Sequence, residues 1–227
     1  MQKIQDISLF DILGPEMIGP SSSHTAGACR LAGMARSLLG DEALARVHFT
    51  LYGSFARTHL GHGTDLALLA GIMGLSSDDI RLREARELAQ SSGLDYRIVC
   101  DYEQVVEHPN TVDIHLWGMN GGELELRACS VGGGAARIIR INGVDVDLRG
   151  RYPSLLIHNE DRPGLVASIT RILAEQGINI AFMRLYRERR GDLAFTLVEC
   201  DESIPKDTAL AIRQLSGVRE AIVVPAV

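Results

Sequence analysis

The sequence predicts an α+β protein in two parts, and three observations carry that prediction. Early in the chain, apolar residues recur at three- and four-residue spacing, with one alternating stretch interleaved. From Asp95 to Leu148 the apolar residues alternate with period two, and Asn120-Gly121 and Asn142-Gly143 mark hairpins, so the first part ends in an antiparallel meander. Beyond Arg149-Gly150-Arg151-Tyr152-Pro153 the patterns run strand, helix, strand, strand, helix, strand. The expected units are residues 1–150, a mixed α/β domain, and residues 154–227, a βαββαβ domain of ferredoxin-like type.

Asp6 to Leu13 reads as a short amphipathic helix with Ile7, Phe10 and Leu13 on one face, broken by Gly14-Pro15. Ala28 to Leu39 is the first long helix: Ala28, Leu31, Ala32, Ala35, Leu38 and Leu39 share the helical spacing, and Gly40 ends it. Arg46 to Tyr52 alternates as a strand. Phe55 to Leu60 allows a helical turn or two, and Leu66 to Met73 is apolar all round, so it reads as a buried helix entered at Thr64 or Asp65. Asp78 to Gln90 is a surface helix with Ile80, Ala85 and Leu88 inward. Strands follow at Tyr96–Cys100, Thr111–Trp117, Glu123–Val131, Arg137–Ile141 and Val144–Leu148. The last unit has strands at 154–158, 178–187, 193–200 and 218–224 and helices at 163–176 and 206–215, with Pro163 in the first turn of its first helix.

Composition limits what such a chain can do. Hydrophobic residues are 46% of the 227 and charged residues 23%, as in an ordinary globular protein. A net charge of −6 without a basic block argues against nucleic acid as main partner. The first residues carry no basic-then-apolar signal pattern and no apolar run reaches a membrane span, so the expectation is a cytoplasmic protein with no membrane partner. The cysteines, Cys29, Cys100, Cys129 and Cys200, are scattered without ligand spacing, and no metal site is expected in this chain.

Two stretches carry chemistry. Gly19-Pro20-Ser21-Ser22-Ser23-His24-Thr25-Ala26-Gly27 has no large apolar side chain and runs into the first long helix. One hydroxyl from Ser23 or Thr25 suffices to cap that helix. Three serines, an imidazole and a threonine exceed that need, and hydroxyls around unpaired N–H groups at a helix start suit a carboxylate. In Gly61-His62-Gly63-Thr64-Asp65, two glycines strip the backbone around an imidazole whose ordinary pKa, about 6.5, suits proton transfer. Thr64 or Asp65 again presents a helix start.

Gly14-Pro15, Met17 to Thr25, Tyr52-Gly53-Ser54-Phe55-Ala56 and Gly61 to Asp65 together resemble the β chain of bacterial iron–sulfur L-serine dehydratases. His108-Pro109-Asn110-Thr111 and Gly132-Gly133-Gly134 fit the same family. Asn159-Glu160-Asp161-Arg162-Pro163-Gly164-Leu165 resembles the opening of an ACT domain. The resemblance implies dehydration of L-serine to pyruvate and ammonia, with a [4Fe–4S] cluster held by cysteines of a separate α chain. It also implies a likeness to the substrate-sensing domain of some phosphoglycerate dehydrogenases, so catalysis and amino-acid sensing both stay open.

On that resemblance, Ser21, Ser22, Ser23, His24 and Thr25 are expected to clamp the substrate carboxylate, and Asn110 to donate to the substrate. His62 is expected to move a proton, with Thr64 and Asp65 positioning it. For the ACT domain the resemblance implies self-association and an effector site of Asn159, Asp161 and Gly164 against Asn179 of a partner domain.

Overall fold

The computed structural model describes residues 16–187 and 189–227, so the helix expected over Asp6–Leu13 lies outside the described residues. A π-helical turn, Ser22–Gly27, runs directly into α1 (Ala28–Leu38). Strand β1 (Leu44–Tyr52) is followed by α2 (Gly53–His62) and α3 (Thr64–Ile72), then a 3₁₀ segment Ile80–Glu84 and α4 (Ala85–Ser91). The strands β2 (Asp95–Asp101), β3 (Thr111–Gly118), β4 (Glu123–Ser130), β5 (Ala136–Ile141) and β6 (Val144–Leu148) complete the first half.

These strands form one six-stranded sheet in the order β2-β1-β3-β4-β5-β6. β1 and β2 are parallel, joined by the helical crossover, and β3 to β6 are the antiparallel meander. The hairpin at Asn142-Gly143 has both residues at positive φ, 48° and 84°, the geometry of a type I′ turn.

The second half is β7 (Ser154–Glu160), α5 (Leu165–Glu175), β8 (Ile180–Arg187), β9 (Leu193–Cys200), α6 (Lys206–Arg213) and β10 (Val218–Val224). Its sheet order, β10-β7-β9-β8, is that of a ferredoxin-like βαββαβ unit. One face, with Leu155, Ile157 and Val198, packs on Ile169 and Leu173 of α5 and Ile212 of α6. The other face is buried as well: Leu156, Phe195, Leu197 and Val224 belong to the same apolar cluster as Leu31 and Met34 of α1 and Phe49 and Ile114 of the first sheet. α1 thus packs against β4 and β5 of one sheet and β10 of the other. Polar contacts edge this seam: Arg184 Nη1 donates to Glu199 Oε2 at 3.1 Å, and the Asp147 N–H donates to Tyr186 Oη at 3.0 Å.

Three sequence expectations are corrected. The segment from Asp78 to Gln90 is a 3₁₀ turn followed by an α-helix, and the change from three to 3.6 residues per turn shifts its inward face. Leu82, Ala85 and Ala89 are buried, whereas Ile80 is 62% exposed. Pro163 precedes α5 rather than opening it, because Gly164, at φ +86°, is the residue that turns the chain into the helix. The cap of the Ser-rich turn is Ser21, not Ser23 or Thr25.

Candidate active site

The site is built where the π-helical turn meets the two ends of α2. Ser21 is extended, and its Oγ accepts from the His24 N–H at 3.2 Å. The turn that follows is one residue wider than an α-turn, a form often found at functional sites. Close packing demands glycine at Gly27, where a Cβ would overlap the buried Ser130 hydroxyl. Ser22 and Ser23 are half-buried in the turn, with no side-chain hydrogen bond among the described residues.

His24 is held at both ring nitrogens: Nδ1 lies 3.3 Å from Ser21 Oγ and Nε2 lies 3.0 Å from Ser54 Oγ. Its ring meets the edge of Phe55, centroids 5.3 Å apart, and stands 4.8 Å from the His62 ring. Burial, and then the nearby His62, hold the His24 pKa below the ordinary imidazole value. His24 is therefore neutral at pH 7.

His62 is the last residue of α2, and Gly63, in the left-handed region at φ +66°, both ends that helix and starts α3. The Thr25 hydroxyl donates to the His62 carbonyl at 3.0 Å, tying the Ser-rich turn to the second motif. His62 Nδ1 and the Thr64 hydroxyl are buried without a hydrogen-bond partner among the described residues. Asp65 is 3% exposed, and its carboxylate pairs with Arg86 of α4 rather than with His62. A cavity of about 180 Å³ opens here, lined by Ile18, Pro20, Thr25, His62, Leu66 and Arg83 among others.

Asn110 lies beside Ser130, the residue packed against Gly27. Its Nδ2 donates to the Ser130 carbonyl at 3.4 Å and its own carbonyl accepts from the Ser130 N–H at 3.0 Å. The structure thus brings Ser21 to Thr25, His62 and Thr64 together, and commits the side chains of Asp65 and Asn110 to protein partners. Sequence reasoning missed Ser54 and Arg83. Ser54 had a signal, a serine directly after a strand in Gly53-Ser54; Arg83 had none.

The cysteines do not form a cluster site. Burial pushes Cys29 up to about 12 and Cys200 up to about 11, and it raises Cys129 as well. The Cys100 sulfur lies 3.6 Å from His59 Nδ1. Among the described residues no group of three or more His, Cys, Asp or Glu side chains could hold a metal ion.

The residues expected to bind an effector are spread over two ends of the second sheet. Asn159 Oδ1 accepts from the Thr196 hydroxyl at 2.8 Å, and Asn159 Nδ2 donates to the Glu160 carbonyl at 2.9 Å. Asp161 accepts from the Gly191 N–H at 2.9 Å and from Arg187 Nη1 at 3.0 Å, contacts that hold its carboxyl below the usual range. Gly164 follows in the same turn. Asn179 donates to Asp201 Oδ2 at 2.6 Å and precedes β8, whose first residue, Ile180, pairs with Cys200. Glu160 pairs with Leu193 at the other end of β9. Within one chain, Asn179 does not meet Asp161.

Comparison with known proteins adds to this geometry. Residues 8–138 match the family described as serine dehydratase beta chain, and residues 154–217 match the ACT domain family. The chain is 42% identical over 197 residues to a protein of Bacillus subtilis (strain 168) named probable L-serine dehydratase, beta chain, covering 87% of this chain and 88% of that one. It is 37% identical over 207 residues to the L-serine dehydratase, beta chain, of Peptoniphilus asaccharolyticus, covering 91% and 93%. It is 28% identical over 188 residues to the D-3-phosphoglycerate dehydrogenase of Mycobacterium tuberculosis (strain ATCC 25618 / H37Rv), covering 81% of this chain and 35% of that one.

Proposed function

This chain belongs to the serine dehydratase β-chain family and carries an ACT domain, and we propose that it serves as the β subunit of an L-serine dehydratase that converts L-serine to pyruvate and ammonia. Its partner is an α chain bearing a [4Fe–4S] cluster, which supplies a Lewis acid for the departing hydroxyl. Burial raises the thiols of Cys29, Cys129 and Cys200 above their ordinary range, and no step is assigned to a cluster on this chain.

The observation that carries the reading is the meeting of two imidazoles, 4.8 Å apart, beside a cavity lined by Thr25 and His62. The hydroxyls and N–H groups from Ser21 to Thr25 bind and orient the substrate carboxylate. His62 moves a proton: its Nδ1 is sealed from solvent, which leaves Nε2 as the nitrogen able to exchange one with a ligand. Thr64 and Asp65 set the helix start that aims His62, the latter through its pair with Arg86. Asn110 donates to the substrate with the Nδ2 hydrogen that its bond to the Ser130 carbonyl leaves free. No helix among the described residues is long and apolar enough to cross a membrane, in keeping with the proposed cytoplasmic location.

A second reading, a non-catalytic subunit that senses serine, is favoured by the likeness to D-3-phosphoglycerate dehydrogenase. His62→Ala in the assembled α–β enzyme separates the two. A general acid–base role predicts turnover lower by about 10²–10⁴-fold, with serine binding kept. Turnover near that of the unaltered enzyme would remove His62 from the chemistry, and activity of the α chain without this one would favour sensing. For the ACT domain the proposal is self-association, with Asp161 and Gly164 of one copy facing Asn179 of another, where an amino acid would bind.

A further inference from the structure

The 3₁₀ segment Ile80–Glu84 sends three neighbouring side chains to three different places. With three residues per turn, successive side chains diverge by about 120°. Leu82 is 2% exposed and anchors the segment in the core. Arg81 turns back to Asp79, whose carboxylate accepts from Nε at 3.0 Å and from Nη2 at 2.6 Å. Arg83 lines the cavity beside His62. Its neighbours Arg81 and Arg86 are committed to Asp79 and Asp65, whereas the Arg83 side chain has no hydrogen bond or ion pair among the described residues.

The rest of the cavity wall offers little to balance a ligand's charge. Ile18, Pro20, Leu66 and Leu82 are apolar, Thr25 is neutral, and Arg83 is the one permanently charged residue along the wall. The nearby acid, Asp65, is already answered by Arg86, so it does not claim Arg83. His62 Nδ1 and the Thr64 hydroxyl, buried and unpaired among the described residues, are further places that a ligand can complete. A carboxylate brought against such walls needs an opposite charge as well as hydroxyls, because burying it unpaired is costly. A guanidinium supplies that charge in a planar fork that matches the two carboxylate oxygens.

We propose that Arg83 is a substrate-binding residue that pairs with the carboxylate of the amino acid, so that the site selects amino acids over their neutral amides. The inference rests on the reading of this pocket as the L-serine site. There the hydroxyls and N–H groups of Ser21 to Thr25 orient the carboxylate, and Arg83 balances its charge.

The test is steady-state kinetics of the assembled α–β enzyme with L-serine as substrate and L-serinamide as inhibitor. The amide keeps the amino group and the hydroxyl but has no carboxylate. Arg83→Gln is expected to raise the half-saturating L-serine concentration about 10–100-fold, the worth of a hydrogen-bonded contact between charges, and to leave inhibition by L-serinamide as it was. Arg83→Lys, which keeps the charge without the fork, is expected to fall between. Arg81→Gln removes the same charge from the same segment and is expected to leave L-serine half-saturation unchanged. An unchanged half-saturation in Arg83→Gln overturns the proposal. So does an equal weakening of both ligands, which marks a structural role, or an equal effect of Arg81→Gln, which marks a general field. Activity of the α chain without this one, together with the selective loss in Arg83→Gln, would strike the dehydratase reading and leave Arg83 as the carboxylate contact of a sensing site.

Discussion

The pocket at the end of α2 and the turn after β7 carry the same sequence signal, polar side chains gathered where a helix begins, yet the structure treats them differently. At the first, His62 Nδ1 and the Thr64 hydroxyl have no hydrogen-bond partner among the described residues and lie beside a cavity. At the second, Asn159 is answered by Thr196 and Asp161 by Arg187 and Gly191, as Asn179, at the other end of that sheet, is by Asp201. Buried polar groups are nearly always paired, so two left alone beside a cavity are places that a ligand or a water can complete. A closed set is complete within its own chain, and a second copy must displace some of those bonds to use it.

The largest expected effect tests whether the second half stands apart from the first. Leu197 is 1% exposed and lies in the cluster shared with α1. Leu197→Ala is expected to cost about 2–5 kcal/mol. The cost should appear in the urea transition of Trp117, which sits on β3 of the other sheet. A Trp117 midpoint that does not move would mean that the two sheets unfold independently.

A pair of glycines sharpens the comparison at the two sites. Gly27→Ala drives a methyl into the Ser130 hydroxyl and is expected to cost about 1–3 kcal/mol by overpacking. Gly164→Ala meets nothing within 4 Å, so only its φ of +86° opposes it, at about 1–2 kcal/mol. Denaturation of the two variants should rank them in that order. The reverse order would show that the Ser-rich turn gives way easily.

The smallest effect is a pH dependence common to both halves. Burial holds His24 and His158 below the ordinary imidazole value, His62 and Arg219 adding to it respectively. The unfolded chain therefore takes up protons first, at about pH 6.5, and the stability present above that value is lost as pH falls through the lower folded values. Urea midpoints should decline from pH 7.5 to 5.5, and His24→Gln should flatten the decline. A decline that His24→Gln leaves unchanged would contradict the burial of that ring.

Much of this architecture can be read from residues, and the rest resists for physical reasons. Alternation located the strands of the first sheet because one residue per face repeats whatever lies beyond the face. It does not tell what covers that face, although the run Leu193-Ala194-Phe195-Thr196-Leu197-Val198, buried almost throughout, is the pattern of a strand covered on both sides. The inward face of residues 78–90 was misread because a single period was assumed across a 3₁₀-to-α change. The Ser-rich turn announced a cap but not its π form, since a hydroxyl-rich run is equally compatible with several turn widths. Ser54 escaped because its value lies in a partner thirty residues away, His24. Asp65 and Asn110 were recognisable as polar residues near a site, but their commitment to Arg86 and Ser130 depends on packing that spacing does not encode.

The two-sided burial of α1 has an evolutionary consequence. From Ala28 to Leu38 none of its residues is fully exposed, and Met34 sits against Gly150 and Val227, where the second unit begins and ends. A lineage that shed residues 154–227 would turn an interior helix into a surface one, leaving Met34 and its neighbours facing water. Loss of the C-terminal unit would therefore call for polar replacements along α1, or for another chain to cover the face that the ACT domain covers here.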